Sequence, residues 1–152
     1  MRVDILGAGL TDIGYKRKHN EDNFLCDLSS RLFIVADGMG GRALGETASK
    51  VVVTLFPLMP KESLSFLSNF TPDSIMSLLH ETLCRLSHDL YQQSQKLPEL
   101  KGLGSTAAIL FIQDDIAYIA YAGDSRIYLL RDTNLLQITE DQTTAAALVR
   151  LG

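Results

Sequence analysis

Residues 33–41, Phe-Ile-Val-Ala-Asp-Gly-Met-Gly-Gly, constrain the fold of this 152-residue chain more than any other segment. The first four residues are apolar and include β-branched types, as in a buried strand. Asp37 then enters a turn with three glycines, which can bring backbone carbonyls and a carboxylate close to one point. A hard cation with oxygen ligands needs such a point, but an ordinary hairpin or loop entry also fits the segment taken alone.

Carboxylates adjoin strand-like segments elsewhere in the chain. Glu21 and Asp22 follow Arg17 by four and five residues and precede one apolar run, and Asp124 follows another. Carboxylates gathered at one locus of low dielectric repel each other, so either their pKa values rise or divalent cations neutralise them. A metal site at the strand ends is the simpler expectation.

Composition limits the classes of partner. Hydrophobic residues make up 46% of the chain, enough for one domain with a sizeable core, and the net charge of -4 with no basic cluster argues against nucleic acid. No segment approaches the roughly 18 apolar residues of a membrane span, and the N-terminus lacks the apolar core of a signal peptide. We therefore expect a soluble cytoplasmic protein without a membrane partner. Cys26 and Cys84 have no paired spacing and are expected to be free thiols.

Hydrophobic periodicity and turn residues predict an alternation of strands and helices. The predicted strands cover residues 3–6, 23–28, 32–36, 106–112, 116–121, 126–130 and 135–138. The predicted helices cover residues 43–56, 73–95 and 143–151. Two consecutive helices between groups of strands cannot form a regular parallel βαβ array. The pattern therefore predicts an α+β protein with a mainly antiparallel sheet.

The motifs resemble those of a known family, the metal-dependent serine/threonine protein phosphatases of type 2C in their bacterial form. The matching blocks are residues 11–14 with Arg17 and residues 20–23, residues 35–41 with Gly45 and Glu46, residues 104–106, residues 123–126, and residues 138–141. They follow the family's order over nearly the whole chain. The resemblance implies an antiparallel β-sandwich flanked by helices (αββα), with metals at one edge of the sandwich.

The resemblance also implies roles for individual residues. Asp37 would bridge two metal ions, with the Gly38 carbonyl completing one coordination shell and Asp22 as a second carboxylate ligand. Glu21 would hold a metal-bound water, and Asp124 would be the ligand of a third metal. Each carboxylate has a plainer alternative, a turn or a loop cap, and Asp141 remains unassigned.

Arg17 lies where the family carries its phosphate-binding arginine, whose planar fork can hold two phosphate oxygens; the plainer alternative is a solvated basic loop. The implied reaction is hydrolysis of phosphoserine and phosphothreonine in proteins by a water bridging two divalent metals. Oxygen ligands suit two or three Mn²⁺ or Mg²⁺ ions, and a cognate serine/threonine kinase is a candidate partner.

The chain departs from the family's pattern in two ways. Met39 stands where some members have a histidine proposed as general acid, which leaves the acid unassigned and His19 as a weak candidate. The later Ser-Asp-Gly and Asp-Asn motifs of the family do not occur after Asp124. Residues 1–152 therefore resemble a single phosphatase-like domain without its expected C-terminal part, and we expect this chain alone to be a poor phosphatase. A non-catalytic regulatory or interaction module with an incomplete metal site remains the alternative function.

Overall fold

The computed structural model describes residues 4–40, 44–59 and 71–151. The strands are β1 (Asp22–Asp27), β2 (Leu32–Met39), β3 (Gly104–Ser105), β4 (Ala107–Gln113), β5 (Ile116–Ala122), β6 (Tyr128–Arg131) and β7 (Asn134–Gln137). The helices are α1 (Leu44–Leu55), α2 (Pro72–Lys96) and α3 (Thr144–Leu151), with a short 3₁₀ helix at Pro98–Leu100. None of the helices in these ranges is long and apolar enough to cross a membrane.

Among the described residues, the main sheet has five antiparallel strands: four in the order β1-β2-β4-β5, and β3, which pairs with the end of β2. In its central strand, β2, buried and more exposed residues alternate along the chain. Leu32, Ile34 and Ala36 are buried on one face, whereas Val35 is exposed on the other. The α+β class and the antiparallel pairing predicted from the sequence are confirmed.

Helices α1 and α2 cover one face of the main sheet. Val52 and Phe56 from the α1 region and Leu79 from α2 pack in one buried cluster with Ile34 and Ile109 of the sheet. These five side chains are between 0% and 4% exposed, so the apolar stripe read from the sequence is the packing face of the helices.

Local signals determine where α2 begins. Thr71 caps the helix: its side chain accepts a hydrogen bond from the Ser74 N–H. The Thr71 N–H in turn donates to Ser74 Oγ. Pro72 occupies the first helical position, where its missing N–H has no intrahelical partner to lose. The helix predicted at residues 73–95 is confirmed within one residue at each end.

Strands β6 and β7 form a separate two-stranded hairpin. Its four leucines, Leu129, Leu130, Leu135 and Leu136, are between 39% and 67% exposed. Strand β6 begins two residues later than predicted. At this end the Ile127 N–H donates to Thr139 Oγ1 while the Ile127 carbonyl accepts from the Ile138 N–H at 2.8 Å, so Ile127 makes only part of the ladder contact.

The short strand predicted at residues 3–6 does not form in its described part. Residues 4–6 have no strand structure, and Leu6 is 98% exposed. The backbone groups of a strand need a neighbouring strand as partner. In the described residues β1, at the sheet edge, pairs with β2 alone, so residues 4–6 do not add a strand to its open edge. The predicted start of the first helix, at residue 43, lies outside the described residues.

Candidate functional site

Strand ends gather the predicted carboxylates at one edge of the main sheet. Strand β1 begins where β2 ends, and Asp22 lies directly opposite Asp37 in the antiparallel register. On the other side, Ala107 at the start of β4 pairs with Ala122 at the end of β5, so Asp124 follows at the same edge. The fold thus brings together carboxylates that are 15 and 87 residues apart in sequence.

The electrostatics of Asp37 reflect this crowding. Partial removal from water raises the pKa of Asp37, and the negative charge of Asp22, a side-chain hydrogen bond with Asp22 and the charge of Asp124 raise it further. The positive charge of Arg17 opposes the shift. A carboxyl group whose pKa is raised by burial and by neighbouring carboxylates marks a locus that favours positive charge. That is the condition predicted from the sequence for this edge.

Two glycines allow the end of β2 to approach the start of α1. A Cβ atom at Gly38 would overlap the carbonyl oxygen of Gly45. A Cβ at Gly45 would lie 2.5 Å from Glu21 Oε1 and 2.7 Å from the Gly38 carbonyl oxygen. Both positions therefore require glycine because of close backbone approach, and the Gly38 carbonyl stays near the carboxylate of Glu21.

Arg17 and Glu21 line the cleft at this edge and contact each other. Arg17 Nη1 lies 3.2 Å from Glu21 Oε2, and the Arg17 side chain is 74% exposed while that of Glu21 is 17% exposed. The same cleft is lined by Asp22, Asp37 and His19. The structure thus places Arg17 at the rim and Glu21 deeper, between the arginine and the aspartates.

Side chains order the loop that carries Arg17. Asn20 Oδ1 accepts a hydrogen bond from the Asp22 N–H at 3.0 Å, and Asn20 Nδ2 donates to Thr11 Oγ1 at 2.8 Å. Asp12 Oδ1 accepts from the Gly14 N–H at 2.7 Å. These contacts give the residue 11–14 and residue 20–23 motifs a structural role beside the cleft.

Thr106 is a buried polar residue at this edge whose role no sequence motif indicates. Its Oγ1 accepts from the Asp37 N–H at 2.9 Å and lies 2.6 Å from Ser125 Oγ, while its own N–H donates to the Asp37 carbonyl at 2.8 Å. Its methyl group leaves no room for a side chain at Gly123, where a Cβ would lie 2.7 Å away and φ is +99°. Thr106 therefore joins the strand end that carries Asp37 to the turn that carries Asp124.

The donor atoms at this edge match a hard divalent cation. Within residues 4–40, 44–59 and 71–151, no three His, Cys, Asp or Glu side chains form a group that could hold a metal ion. Asp22 and Asp37 do face each other, with the Gly38 backbone next in the chain, and all of these donors are oxygens. Oxygen donors fit Mn²⁺ and Mg²⁺ rather than zinc, so the residues present fit the implied metals in type.

Other candidates lie elsewhere. His80 and His88 are on the exposed side of α2, and Cys26 and Cys84 are free, as predicted for the cysteines. Asp141 forms a two-bond contact with Arg126, from Nε to Oδ1 at 2.7 Å and from Nη2 to Oδ2 at 2.5 Å. This contact lowers the pKa of Asp141. The structure thus assigns Asp141 an ion-pair role.

The family model described as Protein phosphatase 2C matches residues 10–148. The chain belongs to this family. It is 36% identical over 145 residues to the serine/threonine phosphatase stp of Listeria monocytogenes serotype 4b, covering 93% of this chain and 56% of that protein. It is 36% identical over 147 residues to the serine/threonine protein phosphatase PstP of Mycobacterium tuberculosis, covering 95% of this chain and 26% of that protein.

A solved structure shows the same fold. The catalytic domain of PstP in complex with two manganese ions superposes with a TM-score of 0.75 at 32% identity, covering 92% of this chain and 57% of that one. The chain therefore spans about half the length of the solved domain and of the Listeria relative. The resemblance inferred from the motifs is confirmed.

Proposed function

We propose that the protein hydrolyses phosphoserine and phosphothreonine in other proteins, using two or three Mn²⁺ or Mg²⁺ ions held at the edge of the main sheet. The observation that carries the proposal is the direct opposition of Asp22 and Asp37, together with the raised pKa of Asp37. The metal-containing PstP structure supports manganese as the ion. Asp22, Asp37 and the Gly38 carbonyl would hold the ions, and Asp124 would be the ligand of a third. Bound there, such ions supply a water that is nucleophilic near neutral pH and neutralise charge on the phosphoryl oxygens.

The chain's own side chains would then position the reactants. Glu21, 17% exposed and adjacent to Asp22, would accept a hydrogen bond from the attacking water. The Arg17 side chain is exposed at the cleft rim. Its planar guanidinium would leave the Glu21 carboxylate and bind two oxygens of a phosphate group instead. Thr106 holds the backbone of Asp37 through hydrogen bonds to its N–H and its carbonyl. The leaving-group acid remains unassigned, and phosphoproteins, with a cognate kinase, are the proposed partners.

The proposal is tested by turnover of p-nitrophenyl phosphate and of a phosphoserine peptide with Mn²⁺, for the wild type and Asp37→Asn. We expect slow Mn²⁺-dependent release of phosphate from both substrates and a loss of about 100-fold in kcat for the variant, because a reacting water misplaced by about 1 Å can cost that much. Turnover that is independent of Mn²⁺, or unaffected in the variant, would overturn the proposal.

The same experiment distinguishes the phosphatase from the alternative, a non-catalytic module. A regulatory or interaction module would bind Mn²⁺ in an Asp37-dependent way without turning over either substrate. What favours this alternative is that Asp22 and Asp37 form a pair rather than a group of three ligands in the described residues. A titration of Mn²⁺ binding alongside the turnover assay therefore decides between a catalytic and a non-catalytic use of the same edge.

A further inference from the structure

A buried hydrogen-bond chain connects helix α1 to the start of β1, on the side away from the cleft. Ser49 of α1 is 0% exposed, and its Oγ lies 2.5 Å from the carbonyl oxygen of Glu21. Asn23 Nδ2 lies 3.0 Å from the same Oγ. The chain therefore runs from Asn23 through Ser49 to the backbone of Glu21.

The direction of each bond follows from the donors available. A hydroxyl has one proton, and Ser49 Oγ lies near three carbonyls: Glu21 at 2.5 Å, Gly45 at 3.1 Å and Glu46 at 3.2 Å. A serine inside a helix ordinarily bonds back to a carbonyl of the preceding turn. Here the Asn23 amide nitrogen can only donate, so it occupies a lone pair of the hydroxyl and leaves the proton for the nearest carbonyl, that of Glu21. Asn23 Nδ2 also lies 3.5 Å from the Glu46 carbonyl, which can only accept and so agrees with this orientation.

The Glu21 carbonyl receives a second bond from across the sheet. The Gly38 N–H donates to it at 3.1 Å. One carbonyl oxygen thus joins α1, β1 and β2 at the point where Glu21, Asp22 and Gly38 are placed. Ser49 itself does not line the cleft.

We propose that Asn23 and Ser49 are positioning residues. By holding the Glu21 carbonyl, they set the location of the Glu21 and Asp22 carboxylates relative to Gly38 and Asp37. The consequence for metal binding rests on the proposed function, whereas the hydrogen-bond chain does not. A purely structural role would fasten α1 to the sheet and leave the carboxylates where they are.

The test compares Ser49→Ala with Ser94→Ala. Ser94 is a matched control because it is also a buried helical serine bonded to a backbone carbonyl, that of Tyr91 at 2.7 Å, and it lies on α2 away from the cleft. We expect Ser49→Ala to weaken Mn²⁺ binding about tenfold, the usual scale for loss of an outer-shell partner, and Ser94→Ala to leave it unchanged. Equal Mn²⁺ affinity in the two variants would overturn the positioning role.

Asn23→Ala provides a second variant that keeps the hydroxyl. Without the amide donor, Ser49 can turn to the Gly45 carbonyl, so Mn²⁺ affinity is expected to fall as in Ser49→Ala. The double variant is expected to lose no more than the weaker-binding single variant, because both act through one bond. Additive losses would show that the two residues act separately and would contradict the chain.

Hydrogen exchange at the Gly38 amide separates this inference from the proposed function. Its acceptor is the Glu21 carbonyl, so exchange is expected to be faster in Ser49→Ala than in Ser94→Ala in the metal-free protein. If Asp37→Asn does not weaken the Mn²⁺ binding of the wild type, the proposed function fails. Exchange at the Gly38 amide then still shows whether the hydrogen bonds of Asn23 and Ser49 position this backbone. Unchanged exchange there would overturn the inference.

Discussion

Two regions are held in place by different forces: the edge of the main sheet that carries Asp22 and Asp37, and the C-terminal region, residues 126–151. Beneath Asp37, the neighbouring β2 and β4 side chains Ile34, Ala36 and Ile109 are between 0% and 1% exposed. In the C-terminal region, Leu130 and Leu135 are 67% and 66% exposed, and no residue of α3 is buried. Packing therefore determines the geometry of the edge, whereas little apolar burial contributes to the C-terminal region.

Polar contacts orient the C-terminal region instead. Gln142 and Gly123 exchange two hydrogen bonds, from the Gly123 N–H to Gln142 Oε1 at 3.0 Å and from the Gln142 N–H to the Gly123 carbonyl at 3.1 Å. Arg126 contacts Asp141, and the Glu140 N–H donates to the Tyr121 hydroxyl at 3.2 Å. Exposed contacts of this kind add little stability individually. We therefore expect the two regions to respond differently to side-chain truncation, to removal of charge and to pH.

Truncation of a buried side chain should give the largest difference between the regions. Ile109→Ala is expected to lower the free energy of unfolding by about 2–5 kcal/mol because it leaves a cavity in a fully buried site. Leu130→Ala, at an exposed position of the hairpin, is expected to change it by no more than about 0.5 kcal/mol. Urea denaturation of both variants measures the contrast. Similar destabilisation in the two would mean that the hairpin is buried in solution.

Removal of the crowded charge should stabilise the metal-free edge and weaken its metal binding. The pKa of Asp37 is raised in the folded state, so the folded protein binds more protons than the unfolded one and its stability falls as pH rises above about 3.8. Asp37→Asn removes this repulsion and is expected to raise stability at neutral pH. We expect Mn²⁺ affinity to fall about tenfold or more, or about 1.4 kcal/mol, for one lost ligand.

Asp27→Asn is the matched control for that experiment. Asp27 lies at the opposite end of β1, and hydrogen bonds from Ser29 and Ser30 lower its pKa. Its substitution is expected to reduce stability at neutral pH and to leave Mn²⁺ binding unchanged. Thermal unfolding with chelator and isothermal titration with Mn²⁺ test both variants. Destabilisation by Asp37→Asn would show that Asp37 stabilises the fold and would break the comparison.

Substitution of Arg17 tests whether this exposed side chain, at the edge that carries Asp22 and Asp37, binds substrate or stabilises the fold. Arg17→Ala is expected to raise KM for a phosphoserine peptide about fivefold, the upper scale of one exposed ionic contact, and to leave Mn²⁺ affinity undiminished because a guanidinium does not ligate cations. Steady-state kinetics and Mn²⁺ titration measure the two effects. Arg150→Ala, which removes the exposed contact with Glu140, is the control. Loss of Mn²⁺ binding with unchanged KM would make Arg17 structural.

Acidification should loosen the C-terminal region first. The Arg126 contact lowers the pKa of Asp141 in the folded state, so the stability it contributes is present above about 3.8 and is lost as pH falls through the folded value. We expect amide protection in residues 126–141 to decline on acidification before protection in β2 and β4 does. Asp141→Asn should show the loosened region already at neutral pH. Simultaneous loss of protection in both regions would contradict a separate polar attachment.

The elements that short-range patterns specify were predicted well. Helix α2 was expected at residues 73–95 and occupies Pro72–Lys96, because the Thr71 cap, the proline and the apolar stripe all act within a few residues of one another. The β6–β7 hairpin was predicted in the same way, from two apolar runs across a turn. The missing strand at residues 4–6 shows the limit, because weak alternation in so few residues does not by itself supply the backbone hydrogen bonds that a strand needs.

The amino-acid sequence by itself determined the helices, the hairpins, the antiparallel class and, through its motifs, the family and the candidate carboxylates. Only the tertiary structure decided that Asp22 faces Asp37 across two strands, that β2 lies between β1 and β4, and that Ser49 bonds the Glu21 carbonyl 28 residues away. Ser49 carries no sequence signal, since it falls beside an apolar helical stripe like any small polar residue. The difference arises from how far apart in sequence the interacting residues are. Caps, turns and periodicity act between neighbours in sequence, whereas register and buried polar contacts depend on which distant segments the packed core brings together.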